Sequence, residues 1–446
     1  MFNSIHSWSA TAESKMNDLA ISMKDRWIPW IDRSIEGGIL LFIFLFPVKE
    51  FIISNDAISL IKWMALYLPF GLWILKMVLR KDSSLVRTPI DRPILLYTIV
   101  VVASVFYSID RIETLAGIRG SYLKAIVLYL VVLNNFQTKE KVKRLAVTFA
   151  VSFVVTIGVG FYNYEIGQYN IAGGIIAFEN RNHNTMGKIL GGSFPFLLLA
   201  FSAVKRPIWK GIAILLILLG LFAIFMTLSR ATWAGAVFAF LIWGMHQNWK
   251  KVMTAAMILF LFILFSFGPD SVAQRFALLE TQINTISNRT PIWEVAFQEF
   301  KERPLLGYGY GLNIFEKVYE DGRTGQPEEA MKVTHEHNLF FALLIQNGII
   351  GMVLYFWIFI RTLILIYKMI LSTAVGSDRE ILVVIFSGMI GEYFIHALAD
   401  RNNVGNLALP LWAMLALAMA VWNRIGQGAP NHSPAHRVES RLVEVK

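Results

Sequence analysis

The stretch "KVTHEHNLFFALLIQNGIIG", Lys332 to Gly351, sets two imidazoles and a carboxamide at the head of an apolar run. Histidine titrates near neutrality and takes a proton from a hydroxyl. Arginine presents a planar fork that matches phosphate oxygens and stays charged when partly desolvated. Arg181 and His183 in "FENRNHNTMG", Ser229 and Arg230 in "TLSRATWAG", Arg275, and Arg289 in "NRTPIWEV" are the polar residues that hydropathy leaves unexplained, together with His335, His337 and Asn338, and with Asp400 and Arg401 at the end of a later apolar run. Charge-assisted hydrogen bonds contribute roughly 1.5–3 kcal/mol each, so two or three such arginines hold a diphosphate without Mg²⁺. The set suits transfer of a glycan from a lipid diphosphate to an acceptor hydroxyl, with a histidine taking the proton.

Plainer readings stand beside this one. Arg230 between two apolar runs suits a hairpin residue snorkelling to headgroups. Arg289 can pair with Glu294 or another loop carboxylate, and Arg181 with His183 can mark an exposed turn. The string H-E-H is not H-E-x-x-H, so a helix would not bring both imidazoles to one face. His183 can be drawn in as a third zinc ligand, but no spacing selects it, and neither metal nor cofactor is expected. Gly307, Gly309 and Gly311 lack the preceding strand and the Lys-Ser/Thr ending of a phosphate loop and read as a flexible turn. The chain has no cysteine, which removes disulfides, thiolate metal sites and thiol nucleophiles.

The elements that carry these residues belong in lipid. The 446 residues are 56% hydrophobic and only 16% charged, whereas soluble domains carry about 25% charged residues. Apolar runs recur from Ile35 to Val421, and about twelve are long enough to cross as helices. The expected fold class is an all-α polytopic membrane protein. Residues 1–34 form a cytoplasmic segment without the pattern of a cleaved signal. Spans one to nine occupy 35–267, a large external loop 268–334, spans ten to twelve 335–423, and a cytoplasmic tail 424–446. The ninth span is Val252–Phe267, and the tenth, Leu339–Tyr367, is overlong and expected to tilt or project.

Basic residues set the orientation. With the N-terminus inside, the inner loops receive Arg80, Lys81, Arg87 and Arg92, then Lys139, Lys141, Lys143 and Arg144, then Lys205, Arg206 and Lys210, then Lys250 and Lys251. The net charge of +10 is therefore topological, and nucleic acid is not an expected partner. All the candidate site residues fall outside or at the outer boundary. In the external loop, Ile292, Val295, Ala296 and Phe300 recur at helical spacing behind Pro291, which predicts an amphipathic helix lying at the membrane surface. Unstructured connections seldom exceed about 15 residues, so this loop should be folded and functional.

"TLSRATWAG", "NRTPIWEVAFQEFKERPLLGYGYG" and "HEHNLFFALLIQNGIIG", in this order, resemble the bacterial O-antigen ligase and polymerase superfamily, and "FENRNHNTMGKIL" is similar to its asparagine-rich turn. The resemblance implies an undecaprenyl-diphosphate-linked glycan as donor, the bilayer as setting, and lipid A–core as the acceptor of a ligase at the periplasmic face of the inner membrane. It implies His337 as catalytic residue and Arg230 and Arg289 on the diphosphate, in a metal-independent, inverting transfer. Arg181 and Arg275 are added from topology alone, and Asn338, His335, His183 and Ser229 as supporting residues. Gln346 stands where the family usually carries glutamate, so no carboxylate acts there. Polymerisation of repeat units and protein O-glycosylation use similar chemistry. From another class, a transporter or flippase of lipid-linked sugars also fits twelve spans, although Lys62, Arg119, Lys124 and Glu392 form no repeated midplane pattern. Oligomeric state is not legible.

The topology is testable in this cysteine-free chain. In intact spheroplasts an impermeant maleimide should label Glu280→Cys and spare Arg87→Cys; the reverse labelling would overturn the orientation.

Overall fold

The computed structural model describes residues 27–47, 56–165, 183–227, 229–247, 289–321, 335–401, 403 and 405–427. Their regular elements are all helices, without a strand among the described residues. Helices α1 (27–47), α2 (Asp56–Arg80), α3 (Asp91–Tyr107), α4 (Arg111–Gly117), α5 (Leu123–Asn135), α6 (Lys139–Glu165), α7 (His183–Ala203), α8 (Pro207–Met226) and α9 (Arg230–His246) make up the first part. They are followed by α10 (Thr290–Glu302), α11 (Ile314–Asp321), α12 (Leu339–Ser372), α13 (Ser377–Ile390) and α14 (Leu409–Gln427). Among the described residues, eight stretches are long and apolar enough to cross a bilayer: Asp56–Arg80, Arg111–Asn135, Lys139–Tyr162, Thr185–Ser202, Pro207–Met226, Leu339–Ser372, Ser377–Leu398 and Asn406–Gly426. The chain is a multi-span integral membrane protein. Helices α3 and α9, 17 residues each, coincide with the expected third and eighth spans. The expected ninth span lies outside the described residues.

Helix α1 begins ahead of the span expected from Ile35. Ile28, Ile31, Ile35, Ile39 and Phe42 form a buried stripe at three- and four-residue spacing, while the polar residues between them lower the hydropathy that defined the span. The centre of the bundle is α14, whose residues from Leu409 to Trp422 are buried almost without interruption. Its alanines, including Ala413, Ala416 and Ala420, let neighbours approach closely, as small residues do between membrane helices. Trp412 fills the seam to α5 with its edge against Tyr122 and Tyr129, 6.0 and 6.1 Å between centroids. Around this axis, α7 packs on α6, α9 and α13, and α12 packs on α3.

The overlong tenth run does not simply tilt. Helix α12 is broken at Gly348, where φ is 62° and ψ −166°. A break inside a membrane bundle strands carbonyls and amides that water cannot reach, at several kcal/mol each. The segment 304–309 answers them. Tyr308 and Gly309 donate N–H to the carbonyls of Ile345 and Gln346 at 2.7 and 3.0 Å, while Ile349 and Ile350 donate to Pro304 and Leu305 at 2.9 and 3.4 Å. The GYGYG stretch expected to be a flexible turn is therefore a structural plug, with Gly307 (φ 69°) and Gly309 (φ 116°) in backbone regions that disfavour side chains. A Cβ on Gly307 would lie 2.5 Å from the Ile345 carbonyl oxygen. Helix α10 is found where expected, but Ile292, Val295 and Ala296 pack with Tyr308, Phe315, Val318 and Ile345, so its apolar face is covered by protein.

Gly348→Ala must adopt a left-handed conformation, costing about 1–2 kcal/mol, and its Cβ would stand 2.3 Å from the Leu305 backbone. Thermal unfolding in detergent should show a clear loss for this variant. Gly158→Ala, in the exposed part of α6 with nothing within 4 Å, should be neutral or stabilising by about 0.4–1 kcal/mol. Equal melting of both variants would contradict the role given to the break.

Candidate functional site

The site is built where two short non-helical segments meet. Residues 335–337 precede α12, which starts at Leu339 with Asn338 as its N-cap: the Asn338 carboxamide oxygen accepts from Phe340 and Phe341 N–H at 2.8 and 3.3 Å. His335 and His337 face the same carboxylate, that of Asp400, while Glu336 is engaged by Arg401. His335 Nε2 lies 3.4 Å and His337 Nδ1 3.8 Å from Asp400 Oδ1, while Arg401 donates to Glu336 Oε2 at 3.1 Å. The imidazole centroids are 3.8 Å apart. His335 was expected to point to another side of a helix; the helix begins later, so the two rings meet. His337 has φ 49°, a left-handed conformation costing on the order of 1–3 kcal/mol that persists where surroundings impose it.

Other elements tie this junction down. Asn338 Nδ2 donates to the Leu398 carbonyl at 2.8 Å, Trp293 Nε1 to the Glu336 carbonyl at 3.0 Å, and Arg401 Nη2 to the Leu312 carbonyl at 2.7 Å. Lys188, on α7, reaches Asp400 Oδ2 at 2.9 Å and the Arg401 carbonyl at 2.7 Å. Asp400 Oδ1 also accepts the Arg401 N–H at 2.8 Å. Arg289 donates to the Ala399 carbonyl at 2.7 Å rather than to Glu294, which is exposed. Arg230 opens α9, and its charge is close enough to weaken that of Arg289. Ser229 caps the same helix, its hydroxyl accepting from Thr232 N–H. The two arginines expected on a diphosphate are thus brought to the two histidines.

Arg181 and Arg275 lie outside the described residues, as does the side chain of His183. Gln346 is buried, and its carbonyl oxygen accepts from Asn403 Nδ2 at 3.1 Å. Lys188, Glu336, Asp400 and Arg401 were not among the expected site residues. Their signal was present: Lys188 is a lone cation inside the sixth apolar run, and Asp400-Arg401 ends the eleventh.

Electrostatics set the state of His337. Burial drives the His337 pKa down to about 3, His335, Arg289 and Lys188 push the same way, and Asp400 opposes them. Burial alone would raise the Asp400 carboxyl, but Lys188 and the two histidines override it and hold Asp400 well below the usual carboxylate range. Arg289 has its pKa lowered by burial and by Arg230, against the pull of Asp400. At neutral pH the geometry offers a neutral imidazole with a carboxylate behind it and two guanidiniums beside it. His335, His337 and Asp400 also bring ligand atoms within 4.8 Å of one another, a spacing a metal ion fits. The H-E-H spacing is therefore no bar to a metal, contrary to the reading from helical periodicity; the Lys188 and Arg289 cations beside the cluster weigh against a divalent ion.

The architecture is that of a multi-span membrane protein built around a buried ionic junction, with a neutral His337 near Arg289 ahead of a broken helix. A model of the O-antigen ligase family matches residues 214–356, from α8 through Arg230, Arg289 and His337 into α12. The O-antigen ligase of Salmonella typhimurium is 23% identical over 421 residues, covering 88% of this chain and 97% of that protein. Exopolysaccharide production protein ExoQ of Rhizobium meliloti is 22% identical over 383 residues, 80% of this chain and 82% of its own. The chain is thus similar to the O-antigen ligase superfamily over most of its length.

The depressed pKa makes His337 a pH-dependent component of stability. Between its unfolded value near 6.5 and its folded value of about 3, the unfolded chain binds a proton that the folded chain refuses, so stability falls as pH drops through this window. The detergent-solubilised protein should lose melting temperature between pH 6.5 and 4 more steeply than His337→Gln, and identical slopes would remove the assignment.

Proposed function

We propose that the protein is a glycosyltransferase that moves an O-antigen glycan from undecaprenyl diphosphate to a hydroxyl of lipid A–core. The reaction is metal-independent and inverting, at the periplasmic face of the bacterial inner membrane. The frame is about twelve spans with cytoplasmic termini and residues 268–334 outside, following the alternation of basic loops. The observation that carries the reading is the meeting of His337 with Asp400 and with Arg289, which in turn feels the charge of Arg230.

The chemistry follows from charge placement. An acceptor hydroxyl oxygen attacks the anomeric carbon and the bond from that carbon to the lipid diphosphate breaks. The hydroxyl proton passes to neutral His337, and Asp400, 3.8 Å away, stabilises the imidazolium that forms. Negative charge grows on the departing diphosphate, where the Arg230 and Arg289 forks receive it. Arg181 and Arg275 are proposed to extend the diphosphate site, with Asn338, His335, His183 and Ser229 supporting. Asn338 and Ser229 support it as helix caps that set where His337 and Arg230 emerge.

A second reading is polymerisation of repeat units from the same donor, favoured by the likeness to a protein named for exopolysaccharide production. A deletion strain separates the two. Loss of all attached O-chains while lipid-linked polymer accumulates identifies the ligase; a single repeat left on core identifies the polymerase.

With purified protein and lipid-linked donor, His337→Ala should lose turnover by on the order of 10²–10⁴-fold while still binding donor. His335→Ala should also be impaired, because its ring shares Asp400 Oδ1. EDTA should leave the wild type active; inactivation reversed by zinc would instead establish a metal on the histidine pair. Arg230→Ala and Arg289→Ala should each weaken donor binding by roughly 1.5–3 kcal/mol, with partial rescue by lysine, and unchanged affinity in both would remove the diphosphate assignment.

A further inference from the structure

Lys188 has no part in the transfer as described, yet it sits at the centre of the junction. Its side chain is 7% exposed and that of Asp400 3%. Burying such a pair is a poor route to stability, because desolvation offsets most of the Coulomb attraction and apolar residues of similar volume often do as well. Lys188 Nζ holds Asp400 Oδ2 at 2.9 Å and the Arg401 carbonyl oxygen at 2.7 Å. Two bonds to one short turn fix both the position and the plane of the carboxylate. With Oδ2 occupied, the imidazoles of His335 and His337 are left to Oδ1, which the Arg401 N–H also steadies.

We infer that Lys188 is a positioning residue for His337, acting through Asp400: it clamps Oδ2 so that Oδ1 faces the histidine pair. The inference rests on His337 being the base. Lys188 is delivered from α7, against which α9 packs so closely that a Cβ on Gly187 would stand 1.9 Å from Thr232 Oγ1. The helix that begins with Arg230 and the clamp on Asp400 are thereby held in one register.

The test is Lys188→Met, which keeps most of the stem and removes the ammonium. Its kcat should fall on the order of 10²-fold, the cost of a misplaced catalytic group, with KM for the lipid-diphosphate donor unchanged. The acid limb of the kcat profile should move to higher pH, because the groups facing His337 are His335, Asp400, Arg289 and Lys188, with the Glu336–Arg401 pair beside them, and one cation has been removed. Lys188→Arg should restore much of the rate, since a guanidinium also spans carboxylate and carbonyl. A purely structural lysine would change melting temperature and yield without moving the limb. Should Lys188→Met fail to fold with Asp400 unpaired, Lys188→Met/Asp400→Asn lacks both charges and should fold while remaining slow. His337→Ala, assayed in parallel, separates the two levels. An active His337→Ala overturns the base and the inference with it. An inactive His337→Ala beside a Lys188→Met with kcat within about 2-fold of wild type and an unmoved limb overturns the role of Lys188 alone, as would wild-type kcat in the double variant.

Discussion

The structure depends on keeping one carboxylate ionised inside a membrane protein. Asp400 is almost wholly buried, and a buried charge persists only when paired and hydrogen-bonded. Its partners come from α7 and from the segment before α12, and the same turn offers the Ala399 and Arg401 carbonyls to Arg289 and Lys188. Each partner fixes an element: Lys188 brings α7, His335 and His337 the head of α12, Arg289 the start of α10. A cluster assembled for stability alone would be better served by apolar packing. Its composition is explained by what it leaves at the outer edge, a neutral imidazole beside two guanidiniums.

A second constraint sets where that edge lies. A helix as long as α12 would carry its first residues out of the bundle along a straight axis. The break at Gly348 redirects the short half, and the lipid environment requires the stranded backbone groups to be satisfied by protein. The segment 304–309 satisfies them and is itself delivered by α10, whose first residue follows Arg289. One covalent run therefore joins the arginine to the plug, and the plug to the helix that presents His337. Gly307 and Gly348 are required because backbone meets backbone there, with no room for a Cβ.

The membrane class and most of the helices were legible in the chain. Twenty-residue apolar runs, basic loops and imidazoles beside an apolar run are local signals, since the bilayer acts on each span separately. Phase along α1 was legible too, but hydropathy averaging hid it behind the polar residues between Ile28 and Ile35. The pairing of Lys188 with Asp400 was not legible, because 212 positions separate residues that only packing brings to 2.9 Å. Likewise, H-E-H gave no hint that its rings would meet: that outcome depends on α12 starting at Leu339 and on φ 49° at His337. GYGYG looked like a turn because glycine marks both flexibility and close backbone approach, and sequence cannot tell them apart. What the amino-acid sequence determined by itself is which segments enter lipid and which residue types remain for chemistry, since hydrophobicity and charge act residue by residue. Tertiary structure alone decided which of those polar residues share a carboxylate, because ion pairing and desolvation depend on distances that no local pattern encodes.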